Sequence, residues 1–170
     1  MHPAAQRVQD ALAAAGSRAT VQELPDSTRT AVEAARALGV EVAQIAKSLV
    51  FRADGDPIVV IASGADRIDT AALARLLGAS RVERADAVAV RETTGYAIGG
   101  VSPAGLPPSV RVVVDDALSE HEPIWAAAGT PHAVYPTTYA ELLGVAGATP
   151  ASVREHRNDA GRGKSGSASR

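Results

Sequence analysis

The chain has 170 residues, of which 46% are hydrophobic and 21% charged, and its formal net charge is −2. This length fits one domain with its own core, and the composition excludes a chain disordered over most of its length. Cysteine is absent and aromatic residues make up 3%, which removes disulfides, thiolate metal sites and cysteine nucleophiles, and leaves no basis for base stacking on aromatic platforms.

A negative chain is also a poor general coat for a polyphosphate, so no DNA partner is expected and any RNA contact must be local. Met1-His2-Pro3 lacks the basic start and apolar run of a secretory leader. No stretch nears the roughly 18 apolar residues that a membrane span needs. A cytoplasmic protein without a membrane anchor is expected, monomeric by default.

In chain order, Val8 and Leu12 recur at helical spacing within Pro3 to Ala15, and Gly16 closes a first helix. Ala19 to Leu24 reads as a short strand. Ala31, Ala34, Ala35 and Leu38 form the apolar face of a second helix, ended by Gly39. Ile45 to Arg52 and Pro57 to Ser63 are β-rich runs around the turn Ala53-Asp54-Gly55-Asp56, which predicts a hairpin. Asp69 caps a helix through Leu77, and Ala85 to Thr93 suggests another. Val110 to Val114, Ile124 to Ala128 and His132 to Tyr135 follow as strands, and Tyr139 to Leu143 opens a final helix.

Helices and strands are mixed without a strict βαβ rhythm. The expected fold is therefore α/β (α+β): a mixed, largely antiparallel sheet surrounded by helices. A doubly wound nucleotide fold is the alternative, weakened by the absence of a Rossmann or Walker fingerprint. The domain is expected over residues 1–153. Residues 154–170 read as a disordered basic tail, with Arg154, Arg157, Arg162, Lys164 and Arg170 against Glu155 and Asp159.

Three features could carry chemistry. Strand alternation places Lys47 on the same face as Ile45, Leu49 and Phe51, among large apolar groups. Such an ammonium needs a partner or a polar ligand in a cleft, unless it is an edge lysine that snorkels outward. Thr94-Gly95-Tyr96-Ala97-Ile98-Gly99-Gly100-Val101-Ser102-Pro103 is glycine-rich, so its backbone N–H groups could approach an oxyanion, or it could be an ordinary surface turn. Ser102 has no recognisable elbow or base around it and reads more simply as a turn-capping hydroxyl. His132, after Gly129-Thr130-Pro131, could position substrate or water, or cap a loop. The four histidines have no metal-ligand spacing, and neither metal nor cofactor is expected.

In order and spacing, Thr30-Ala31-x-x-Ala34-Ala35-x-x-Leu38-Gly39-Val40, Ile45-Ala46-Lys47-Ser48-Leu49-Val50-Phe51 and Gly99-Gly100-Val101-Ser102-Pro103 resemble the YbaK/ProX family. These are free-standing relatives of the editing insertion domain of bacterial prolyl-tRNA synthetase. The resemblance covers about residues 3–150 and implies a trans-editing deacylase, with a pocket between the lysine strand and the glycine loop. It implies aminoacyl-tRNA as partner, with prolyl-tRNA synthetase as a second candidate. The implied substrate is tRNA for proline carrying a small wrong residue such as cysteine or alanine.

By the same resemblance, Lys47 matches the lysine that holds the substrate's terminal adenosine or phosphate end and orients the ester. Gly99, Gly100 and Pro103 match the G-x-x-x-P loop that grips the carbonyl. Thr30, Ser48, Tyr96, Ser102, Thr130 and His132 are further substrate-binding candidates. Where YbaK proteins carry a basic segment after that proline, this chain reads Ala104-Gly105-Leu106-Pro107-Pro108. A non-catalytic nucleotide- or tRNA-binding module that regulates a synthetase is the alternative.

Overall fold

The computed structural model describes residues 1–156. The hairpin of β2 (Ile45–Ala53) and β3 (Asp56–Ser63) is its centre. Asp54 and Gly55 take positive φ at the turn, the conformation a tight hairpin requires. The Asp54 carboxylate also accepts from Ser80 N and Arg81 N, and so ties the next helix connection to the hairpin tip.

The sheet runs β1 (Gln22–Glu23), β7 (Ala133–Thr137), β6 (Ile124–Ala127), β2, β3, β5 (Arg111–Asp115), β8 (Thr149–Ala151), and β4 (Val82–Arg84) joins β2 from the side. β2–β6, β3–β5 and β5–β8 are parallel. β1–β7, β2–β3, β2–β4 and β6–β7 are antiparallel. The sheet is therefore mixed with an antiparallel majority, as the sequence implies, and those pairings exclude the doubly wound alternative.

Alternation sorts the side chains. Ala46, Val50, Val59, Ile61, Val112 and Val114 face a main core with Val8 and Leu12 of α1 (Pro3–Ala14), Val90 of α4 (Ala87–Thr94) and Leu142 of α5 (Tyr139–Ala146). The opposite face carries two smaller cores. One gathers Phe51, Ile58, Val60 and Val113 with Leu73 of α3 (Thr70–Leu77). The other gathers Ile45 with Ala34 and Ala35 of α2 (Ala31–Leu38). Lys47 falls at the seam between these two clusters.

Capping fixes where the helices start. Thr30 and Glu33 form a capping box on α2, and Asp69 and Asp86 cap α3 and α4.

Three expectations need correction. The strand expected over Ala19 to Leu24 shrinks to Gln22–Glu23, because the Gln9 amide takes Val21 N and Ala19 O out of ladder pairing. β4 and β8 are three residues each, too short for alternation to reveal. Order also runs past the expected boundary at 153. Arg154 bridges Ile68 and donates to Asp115 Oδ2 at 3.0 Å and Asp116 Oδ1 at 2.7 Å. The rest of the expected tail, 157–170, lies outside the described residues.

Candidate functional site

A split in the sheet creates the site. β3 pairs with β2 from Ala46 to Ala53, but on the other flank β6 pairs only with Ile45 and Ala46, and β4 only with Phe51 to Ala53. Lys47, Ser48 and Leu49 therefore face a gap on that flank. A cavity of about 210 Å³ opens there, smaller than the roughly 300–1,000 Å³ usual for larger ligands. Lys47 and Ser48 form one side of it, Thr30 and Ala34 of the α2 region a second, Gly99 and Val101 a third, and Trp125 with Ala127 of β6 a fourth. The lysine strand and the glycine loop thus meet at one hollow.

Lys47 is half-buried, and its Nζ donates to Asp66 O. Burial pulls its pKa below the ordinary lysine value; the Asp66 charge opposes that shift, while Arg84 and Arg67 add to it. An ammonium has three N–H donors, so the Asp66 carbonyl leaves two for a ligand.

The glycine loop is held from behind. The Arg7 guanidinium of α1 donates to Thr94 O at 3.2 Å, Gly95 O at 3.4 Å and Gly105 O at 3.1 Å, and it lies 4.4 Å from the Tyr96 ring centroid. One cation thereby fastens both ends of the loop. Gly99 has φ +85 and is exposed at the cavity. Gly100 N–H is taken by Ala97 O, and a Cβ at Gly100 would meet Gly129 O and Thr130 Cα at 2.7 Å. Gly100 is therefore a close-packing position, while the N–H groups of Gly99 and Val101 meet no protein acceptor among the described residues.

Several expected contacts lie elsewhere. Tyr96 is fully buried and its hydroxyl donates to Ala104 O at 2.7 Å. Ser102 is also fully buried and its Oγ accepts from Ala104 N, the turn-capping role. Pro103 is buried on the far side of the loop, beside Leu106 and Val145, around a different hollow. None of the three lines the lysine cavity. A glycine-rich loop reads the same in sequence whichever face is turned inward.

Thr130 and His132 line a neighbouring cleft of about 280 Å³ with His2 and Arg91, and Pro131 divides that cleft from the lysine cavity. His132 Nδ1 donates to Thr28 O at 2.6 Å, so its imidazole holds the segment that leads to α2. Thr30 does line the cavity while its Oγ1 caps α2 through Glu33 N.

Trp125 and Arg7 were not legible as site residues. The signal for Trp125 was available: it is the only tryptophan in an aliphatic chain, on a strand of small neighbours. Among the described residues no group of His, Asp or Glu could hold a metal ion, and no helix is long and apolar enough to cross a membrane.

A solved structure described as a candidate trans-editing enzyme for prolyl tRNA synthetase superposes with TM-score 0.87 at 43% identity, covering 92% of this chain and 99% of that one. The uncharacterized protein YwhH of Bacillus subtilis is 33% identical over 123 residues, 72% of this chain and 78% of that protein. A proline–tRNA ligase of Lysinibacillus sphaericus is 40% identical over 94 residues, 55% of this chain; the match spans only 16% of the ligase. The model of the aminoacyl-tRNA editing domain matches residues 25–145, which include every residue lining the lysine cavity. The chain belongs to that family, hydrolases of the ester bond in mischarged aminoacyl-tRNA.

Proposed function

We propose that this chain clears tRNA for proline, in trans, of a small amino acid attached in error, such as cysteine or alanine. The carrying observation is that Lys47 and Gly99 wall one cavity of about 210 Å³ whose other sides are mostly small apolar residues. A small aminoacyl group fits that space. The resemblance to a trans-editing structure supports the free-standing role and the link to prolyl-tRNA synthetase. Charged tRNA places the work in the cytoplasm.

Water adds to the ester carbonyl carbon, the acyl C–O bond breaks, and the leaving ribose oxygen takes a proton. The aminoacyl ester is already activated, so placement of water and polarisation of the carbonyl carry the rate. The free N–H groups of Gly99 and Val101 are suited to the oxyanion. Lys47, through the two donors left by Asp66, holds the terminal nucleotide and orients the ester. A substrate hydroxyl accepts and returns the proton, since no His, Asp or Glu among the described residues lines the cavity.

Incubating the purified protein with a panel of mischarged tRNAs tests this. Release of a small amino acid from tRNA for proline, lost in Lys47→Ala, is expected. Saturable binding without release would instead make the chain a regulatory binding module.

A further inference from the structure

Two cations, Lys47 and Arg29, and no carboxylate among the described residues line the lysine cavity. They stand at different depths. Lys47 is half-buried with one donor committed to Asp66 O, whereas Arg29 is exposed to solvent and so lies at the mouth. Among the described residues the Arg29 guanidinium has no hydrogen bond and no ion pair. Other exposed arginines also lack a partner, but Arg29 is the arginine that lines this cavity.

The chain fixes the Arg29 backbone and leaves its side chain free. Arg29 N and Thr30 N both donate to Glu33 Oε1, at 2.9 and 3.1 Å, where α2 begins. One residue earlier, His132 Nδ1 donates to Thr28 O at 2.6 Å and Thr28 N donates to Pro25 O at 2.9 Å. The Glu33 carboxylate is thus engaged by backbone amides, and the arginine whose charge it feels is Arg36. Five N–H donors with no acceptor inside the described chain suit an anion from outside.

Under the deacylase reading, the first anion met along the substrate from the ester is the phosphodiester on the 5′ side of the terminal ribose. Its charge is costly to bury, so an exposed mouth suits it better than the inner end of the cavity. A planar guanidinium engages phosphate through two parallel N–H bonds.

We propose that Arg29 binds the phosphodiester of the substrate's terminal nucleotide at the cavity mouth, while Lys47, deeper in, orients the ester end of the same nucleotide. This inference rests on the deacylase reading and adds a second anchor to its site.

Steady-state hydrolysis of two small esters tests it: aminoacyl-adenosine, and the same ester carrying a 5′-phosphate, each with the amino acid released fastest from charged tRNA. Wild type, Arg29→Ala, Arg29→Lys and Arg91→Ala are compared, with thermal melting to verify each fold. Wild type should favour the phosphorylated ester by about tenfold or more in kcat/KM, the scale of a hydrogen bond to a charged group. Arg29→Ala should remove that preference through KM, with its Tm and its rate on the phosphate-free ester unchanged, and Arg29→Lys should recover part of it. No preference in the wild type, a preference that survives Arg29→Ala, or an equal slowing of both esters overturns the inference. So does a preference lost in Arg91→Ala instead, which would put the phosphate in the cleft beyond Pro131. Wild type that releases amino acid from tRNA but from neither small ester overturns it too, since the affinity then comes from beyond the terminal nucleotide. Release from no substrate at all ends the deacylase reading itself.

Discussion

Two corners of the sheet treat polar groups in opposite ways. At the β5–β8 corner Asp115 is fully buried, yet Oδ1 accepts from Val153 N at 2.7 Å and Oδ2 from Ala117 N at 3.1 Å and Arg154 Nη1 at 3.0 Å. Across the sheet, at the β2–β6 split, Ser48 Oγ and Trp125 Nε1 are buried with no partner among the described residues, and Lys47 has one carbonyl there for three donors. The first corner closes its hydrogen bonds within the chain; the second holds donors in reserve. The contrast separates a group partnered within the chain from groups that the proposed site would offer to a ligand.

Substitutions should separate the corners just as sharply. Lys47→Met should lower ester hydrolysis by about a hundredfold or more, the scale set by misplacing the ester once its terminal nucleotide is no longer held. Its Tm should hold or rise, since a desolvated ammonium gives way to an apolar side chain. Asp115→Ala should do the reverse, costing about 3 kcal/mol in denaturant unfolding by stranding Arg154 and two backbone N–H groups, with hydrolysis per folded molecule unchanged. Gly100→Ala should cost about 2 kcal/mol, because its Cβ would press on the Gly129 and Thr130 backbone, and should slow hydrolysis as the loop shifts.

The smallest effect is in pH. Lys47 loses its proton at lower pH in the folded chain than the ordinary 10.5 of the unfolded one. Enzyme-dependent hydrolysis should therefore fall as pH rises through the lowered pKa, before 10.5 is reached. Stability should move the other way. In that window the unfolded chain binds the extra proton, so the Lys47 contribution to stability grows with pH, and the growth should vanish in Lys47→Met.

Much of this could be read from local patterns. Asp54-Gly55 marks the hairpin, Thr30 and Asp69 mark helix starts, and alternation alone puts Lys47 on an apolar face. What alternation could not show is long-range. That β6 releases β2 after Ala46 depends on a pairing 80 residues apart in sequence, as Ala46↔Ala126. Without that split, Lys47 could equally be an edge lysine. The inward turn of Ser102 and Tyr96 depends on Arg7, 87 to 98 residues from the carbonyls it fastens. Arg154 reads as tail in the sequence because its partners, Asp115 and Asp116, are nearly 40 residues away, at the end of β5.

The most direct test is a crystal structure with an amide-linked alanyl-adenosine, which cannot be hydrolysed. The amino-acid end should lie between Lys47, Gly99 and Trp125, with its carbonyl toward the Gly99 and Val101 N–H groups. Density in the His2, Arg91 and His132 cleft, with the lysine cavity empty, would contradict the assignment of the site.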